Sequence, residues 1–132
     1  RCVQTKQYGY LFNPWSNGER IFRNESQAGR TFAAMQAAAD DERIAARVKL
    51  FLNRVPEELY HFGNDPDALE NLIDSPAHRD ALQDLLTRLE DWLAATNDPA
   101  LPAFRHRDSR PALDQFLAET SETIGGTWHS DG

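Results

Sequence analysis

The strongest chemical signal in this chain is a cluster of cations near its carboxy-terminal end, Arg105-His106-Arg107, with Arg110 just beyond. A guanidinium is planar, stays charged and presents a fork of N–H donors, so it suits the oxygens of a sulfate or carboxylate. The competing reading is a solvated charged loop, or an arginine paired with Asp108. The other candidates fall short of a catalytic set. The histidines are His61, His78, His106 and His129, and none has a zinc-like partner at helical spacing. Cys2 is the single cysteine, which excludes an internal disulfide and a cysteine-only metal site. It reads as a half-buried strand residue that packs like a small apolar side chain. Asp40-Asp41 reads as a helix junction and cap, and Asp65-Pro66-Asp67 as a turn. Trp15 and Trp92 have the rings to stack a sugar, but Trp92 falls on an apolar helix face and is expected in the core. There is no glycine-rich phosphate loop and no nucleophile elbow, and nothing orders Ser, His and Asp into a triad. The expectation is no catalytic residue and no metal ligand in this chain.

These residues need elements to hold them. Cys2-Val3-Gln4-Thr5 and Tyr8–Phe12 predict two short strands joined through Lys6-Gln7 as a hairpin. Residues 14–30 read as an irregular excursion, in which Ile21-Phe22 can add a short strand. Thr31 to Leu52 predicts two helices divided at Asp40-Asp41, with Thr31 as a cap. In the second helix Ile44, Val48 and Phe51 line one face beside Ala45 and Leu52, and Pro56 ends it. Residues 57–62 predict a third strand and Gly63-Asn64-Asp65-Pro66 a turn, followed by a short turn or helix ending at Asn71-Leu72. The clearest element runs from Pro76 to about Ala95. Ser75 suits the N-cap, Pro76 the first helical position, and Leu82, Leu85, Leu86, Leu89, Trp92 and Leu93 recur at steps of three and four. Such a helix must bury its apolar face, and a small antiparallel sheet is the surface at hand. Pro111 to Ile124 predicts a last helix, and residues 125–132 a loose tail. The fold class expected is α+β, with a sheet of about four strands packed by the long helix.

The chain has 132 residues, room for one modest domain, with 40% apolar and 27% charged residues. A net charge of −7 argues against general nucleic-acid binding. That charge is uneven: residues 1–30 carry five basic and two acidic side chains, residues 31–100 six and fourteen, residues 101–132 three and five. The acidic surface therefore lies in the middle of the chain, and an anion is better tolerated at its ends. No run approaches the length needed to span a bilayer, and a soluble protein is expected, although one cysteine does not separate a bacterial cytoplasm from a periplasm. The opening Arg-Cys-Val-Gln is neither an initiator Met nor a signal peptide, as expected of a fragment or processed chain.

Pro56-Glu57-Glu58-Leu59-Tyr60, then Asn64-Asp65-Pro66, then Glu70-Asn71-Leu72 and a long helix, resembles the carboxy-terminal domain of sulfatases, closest to the N-sulfoglucosamine sulfohydrolase branch. That family typically reads E-L-Y-D-L, D-P and E-x-x-N-L over this segment. The opening Arg1-x-Val3-x-Thr5-Lys6 with Tyr8-x-Tyr10 is similar to the strand pair that begins the domain. Trp92, Thr96 and Asp98-Pro99 are similar to the W-x-x-x-T-x-D-P that follows its helix. The match covers about residues 1–100, leaves 110–132 unassigned, and departs where His61-Phe62 replace Asp-Leu. It divides the chain into a sulfatase-type domain, 1–109, and an extra helix and tail, 110–132.

The resemblance implies an end domain of about four antiparallel strands and a long helix, belonging to an alkaline-phosphatase-like hydrolase. It implies a parent whose catalytic domain carries a calcium ion and a formylglycine made in a C/S-x-P-S-R motif. Cys2-Val3-Gln4-Thr5-Lys6 lacks that motif's Pro and Arg, so this chain alone is expected to be inactive. Arg105, His106, Arg107 and Arg110 are then expected to border the substrate pocket, since loops of the end domain do so in that family. The implied partner is the catalytic domain, with self-association through the uncovered face if that domain is absent. The alternative is a standalone scaffold or anionic-glycan-binding module.

Overall fold

The computed structural model describes residues 1–124, and side chains through residue 120. The tail expected at 125–132 lies outside the described residues. The chain forms two compact units, one made of Arg1–Trp15 and the chain from Glu57 onward, the other of Ser16–Pro56.

The first unit is built on β1 (Cys2–Gln4), β2 (Tyr8–Phe12) and β3 (Glu57–His61), antiparallel and in the order β1-β2-β3. The tight link between β1 and β2 is closed by Thr5. Its backbone N–H donates to Tyr8 O at 2.8 Å, and its hydroxyl accepts from the Tyr8 N–H at 3.0 Å. Strand side chains alternate between faces, and the register Val3↔Tyr10↔Leu59 puts these three on one face with Tyr8 and Phe12. Tyr10, Phe12 and Leu59 are all fully buried there.

Helix α3 (Arg79–Ala95) covers that face. It is entered through a 3-10 turn, Pro76–His78, and Ser75 closes the entry with its carbonyl, accepting from His78 N at 3.2 Å, without a side-chain cap bond. Leu85, Leu86, Leu89 and Leu93 are buried against the sheet, with Leu82 partly so. Trp92 departs from expectation: it is 53% exposed. The buried stripe of this helix is narrower than its run of apolar residues, and Trp92 falls on the border, where a large ring stays half in water. The helix ends at Asn97, whose φ of 51° is left-handed, and Asp98 N reaches back to Leu93 O at 2.9 Å.

Two further helices complete the core. In α4 (Leu101–Arg105), Phe104 is fully buried and meets Phe12 edge-on at 5.3 Å and Tyr10 at 6.4 Å. In α5 (Arg110–Ile124), Leu113 joins the same core. Among the described residues the sheet has three strands. The outer edge of β3 is closed instead by a side chain. Leu59 N donates to Asn71 Oδ1 at 2.9 Å, Asn71 Nδ2 donates to Glu57 O at 3.2 Å, and Leu72 N donates to Leu59 O at 2.8 Å. The Asn71 side chain and the Leu72 N–H together take the place of a fourth strand's hydrogen bonds on that edge.

In the second unit α1 (Arg30–Ala37) and α2 (Glu42–Asn53) are divided at Asp40-Asp41 as expected. Gly29, not Thr31, precedes α1 as its N-cap. Phe32 packs on Phe51 with ring centroids 5.1 Å apart. Ile21-Phe22 forms no strand; a single backbone bond ties Phe22 N to Leu52 O. Helix α2 closes at Arg54, held at a left-handed φ of 53°, two residues before Pro56. The architecture is α+β: among the described residues, a small antiparallel sheet with one long α-helix and four shorter ones. No helix among the described residues is long and apolar enough to cross a membrane.

Candidate functional site

The Arg105–Arg110 segment forms the corner between α4 and α5, because Phe104 and Leu113 are drawn into the core on either side of it. Each arginine is directed at a different acceptor. Arg105 reaches back to α3, its Nε 2.7 Å from Glu90 Oε1. Arg107 turns to β3, its Nε 3.4 Å from Glu57 Oε2 and its guanidinium over the Phe104 ring at 5.0 Å. Arg110 holds Asp114 one turn along α5 at 2.7 Å and donates to Pro14 O at 3.3 Å. His106 is exposed at the end of α4. The four side chains share one corner, but the guanidinium bonds run to Glu90, Glu57 and Asp114, and none of these ion pairs involves Asp108. Arg105 is the most open of the three, at 54% exposed, and makes its ion pair through Nε.

Arg107 belongs to a further network. Tyr10 O–H donates to Glu57 Oε2 at 2.6 Å, the same oxygen that Arg107 approaches. Burial and this bond to a carboxylate push the Tyr10 phenol well above its ordinary range, so it stays protonated as a donor. On the opposite face of the sheet Glu58 is fully buried, accepting from Tyr60 O–H at 2.6 Å and Asn13 Nδ2 at 2.8 Å.

The chain matches no family model and no curated protein. What bears on the resemblance is therefore the local work of its motif residues. Glu57 and Glu58 make the networks just described, Leu59 is core, and Asn71 closes the β3 edge. Asp65 shapes the turn before it, Oδ2 accepting from Leu69 N at 2.7 Å and Glu70 N at 2.8 Å. After α3, Thr96 Oγ1 donates to Trp92 O at 2.8 Å, and Asp98 accepts from Ala100 N and the Arg1 guanidinium. Every one of these contacts is structural.

The donor sets of the resembled family's chemistry do not fit this chain. Among the described residues no group of three or more His, Cys, Asp or Glu side chains is placed to hold a metal ion. Asp41 is spent as a helix cap, and N–H donation from Ile44 and Arg43 holds its carboxyl below the ordinary range. Cys2 is exposed on β1, not half-buried as expected: it lies on the outer strand, in a shallow groove with Arg88 and Trp92.

One constellation escaped sequence reasoning. Tyr8, at the start of β2, pairs in register with His61, at the end of β3, and their rings lie 4.5 Å apart. His78, in the 3-10 turn before α3, places Nδ1 2.9 Å from the Tyr8 hydroxyl and its ring 5.8 Å from His61. His61 Nδ1 is a buried nitrogen with no hydrogen-bond partner. Strand register brings Tyr8 to His61, and the packing of the turn before α3 brings His78 to both.

Proposed function

We propose that this chain is the non-catalytic carboxy-terminal portion of a sulfatase-like hydrolase, completing the fold of a catalytic domain that acts on sulfuric esters or sulfamidates, possible substrates being sulfated sugars. The observation that carries the reading is the ordered run Pro56–Tyr60, Asn64-Asp65-Pro66, Glu70-Asn71-Leu72 ahead of α3, in which Leu59 is core, Asn71 bonds the β3 edge and Asp65 shapes the turn between them. The α4–α5 corner is the part that borders the substrate pocket in this reading. Arg105, with the exposed His106, meets an anion there, while Arg107 and Arg110 brace the corner through Glu57, Asp114 and Pro14. Calcium and the formylglycine belong to the partner domain, and the half-exposed Trp92 beside Val3 and Leu89 is available for contact with it or with a second copy.

The test is the reading frame upstream of Arg1 in the parent gene. A few hundred codons containing paired aspartates and a C/S-x-P-S-R motif are expected. A frame that starts at or near Arg1 overturns the reading. The chain by itself is expected to hydrolyse no aryl sulfate, since it carries no nucleophile of the required kind.

A further inference from the structure

We propose that His61 and His78 form a binding site for a first-row divalent transition-metal ion such as Zn²⁺ or Ni²⁺, with the Tyr8 hydroxyl as an orienting group and water completing the coordination. The site ties the end of β3 to the entry of α3. Of the four ring nitrogens in this pair, only His78 Nδ1 has a hydrogen-bond partner among the described residues, and that partner is the Tyr8 hydroxyl at 2.9 Å. A buried ring nitrogen without a partner is costly, and His61 Nδ1 is in that condition. Imidazole nitrogens are preferred ligands of these ions.

Three features suit a metal site. The ring centroids of His61 and His78 are 5.8 Å apart. Two imidazoles sharing one ion at the usual metal–nitrogen distance of ~2.1 Å place their centroids roughly 5–6 Å apart. A phenol oxygen at His78 Nδ1 is the kind of outer contact that orients a ligating histidine; in the tautomer whose Nδ1–H donates to that oxygen, Nε2 keeps its lone pair for a metal. The two rings come from separate elements, a strand end and a helix entry, each held by its own backbone bonds: Phe62 N to Gln7 O at 2.8 Å on one side, His78 N to Ser75 O at 3.2 Å on the other. Such a site is largely preorganised. With two imidazoles and, among the described residues, no third protein ligand of the usual kinds, affinity is expected to be modest and open coordination positions remain.

The test is titration of the purified chain with ZnCl₂ and, separately, NiCl₂, followed by calorimetry and by NMR of the imidazole nitrogens. Saturation at one equivalent is expected, with the His61 and His78 signals moving together and His106 unmoved. His78→Gln is expected to abolish the event. Tyr8→Phe, which keeps the ring and removes the hydroxyl, is expected to weaken binding by roughly tenfold. Circular dichroism of each variant confirms that the fold persists. The proposal is overturned if the wild-type imidazole signals of His61 and His78 do not respond. It is equally overturned if binding survives in His78→Gln, which assigns the metal to Cys2 or another histidine.

Discussion

At the scale of single residues, side chains rather than backbone close several of the open ends of this fold. Asn71 is the clearest case, bonding to both Leu59 N and Glu57 O along the outer edge of β3. Asn71→Ala leaves those two backbone groups without their partner. It is expected to cost about 1–3 kcal/mol, read as a lower midpoint in urea unfolding with an unchanged slope. Asp98 is the second case. The Arg1 guanidinium, bonded at 2.6 and 3.1 Å, and the Ala100 N–H hold its carboxyl below the ordinary 3.8. A carboxylate whose folded-state pKa is depressed stabilises the fold above its unfolded pKa, and that contribution disappears as pH falls through the lower, folded value. Stability from this group is thus present at neutral pH and lost below about pH 4. Asp98→Asn is expected to flatten that acid-side loss in unfolding curves taken from pH 5 down to pH 2.5. Roles of this kind are hidden from sequence reading. An asparagine after a turn looks like any loop residue until the strand it serves is in place, and the Tyr8–His61–His78 grouping needs the register before it exists at all.

At the scale of elements, the leucines of α3 were legible in advance because steps of three and four leave one face for them, and the burial of Leu85, Leu86, Leu89 and Leu93 follows that spacing. Strand β3 and the break at Asp40-Asp41 were legible for similar reasons, one from its strand-forming residues before a turn, the other from a cap. Trp92 was not. Its spacing fits the stripe, but the stripe's width is set by what lies opposite, and the sheet is too narrow to cover it. The two residues therefore separate cleanly in experiment. Leu89→Ala, at 1% exposure in the core, is expected to cost about 2–5 kcal/mol. Trp92→Ala, at 53% exposure, is expected to lower the thermal midpoint far less. Comparable losses in both would mean that the ring of Trp92 is buried in solution by another surface, including a second copy of the chain. Sedimentation at two concentrations distinguishes that case.

At the scale of the molecule, the division of the chain into two units follows one topological fact. The chain leaves the sheet after Phe12 and returns at Glu57, and these two residues are direct partners across β2 and β3. Residues 13–56 thus occupy the place of a hairpin turn, which ordinarily needs about 2–5 residues. Replacing Ser16–Pro56 with a short Asn-Gly turn is expected to leave the sheet with α3, α4 and α5 folded and cooperative, measured by circular dichroism and thermal melting. Loss of the cooperative transition would show that the second unit is needed for the first. The sequence marks the excursion's start by the breakers of residues 14–30 and its end by Pro56, but helices of ordinary composition inside it give no sign that it packs as a unit of its own.

The same excursion governs the order in which the sheet can assemble. The β1–β2 hairpin is local and closes through Thr5 and Tyr8, whereas β3 can dock only after a long stretch of chain has been brought round. Loop-closure entropy rises only logarithmically, by about 0.6 kcal/mol for each doubling of length, so the native state tolerates the detour. The rate is more sensitive, because folding slows as contacts become more distant in sequence. A β1–β2 ribbon formed before β3 and α3 dock would expose Tyr10 and Phe12. Newly made chains at that stage are the ones most exposed to capture by a chaperone or by one another.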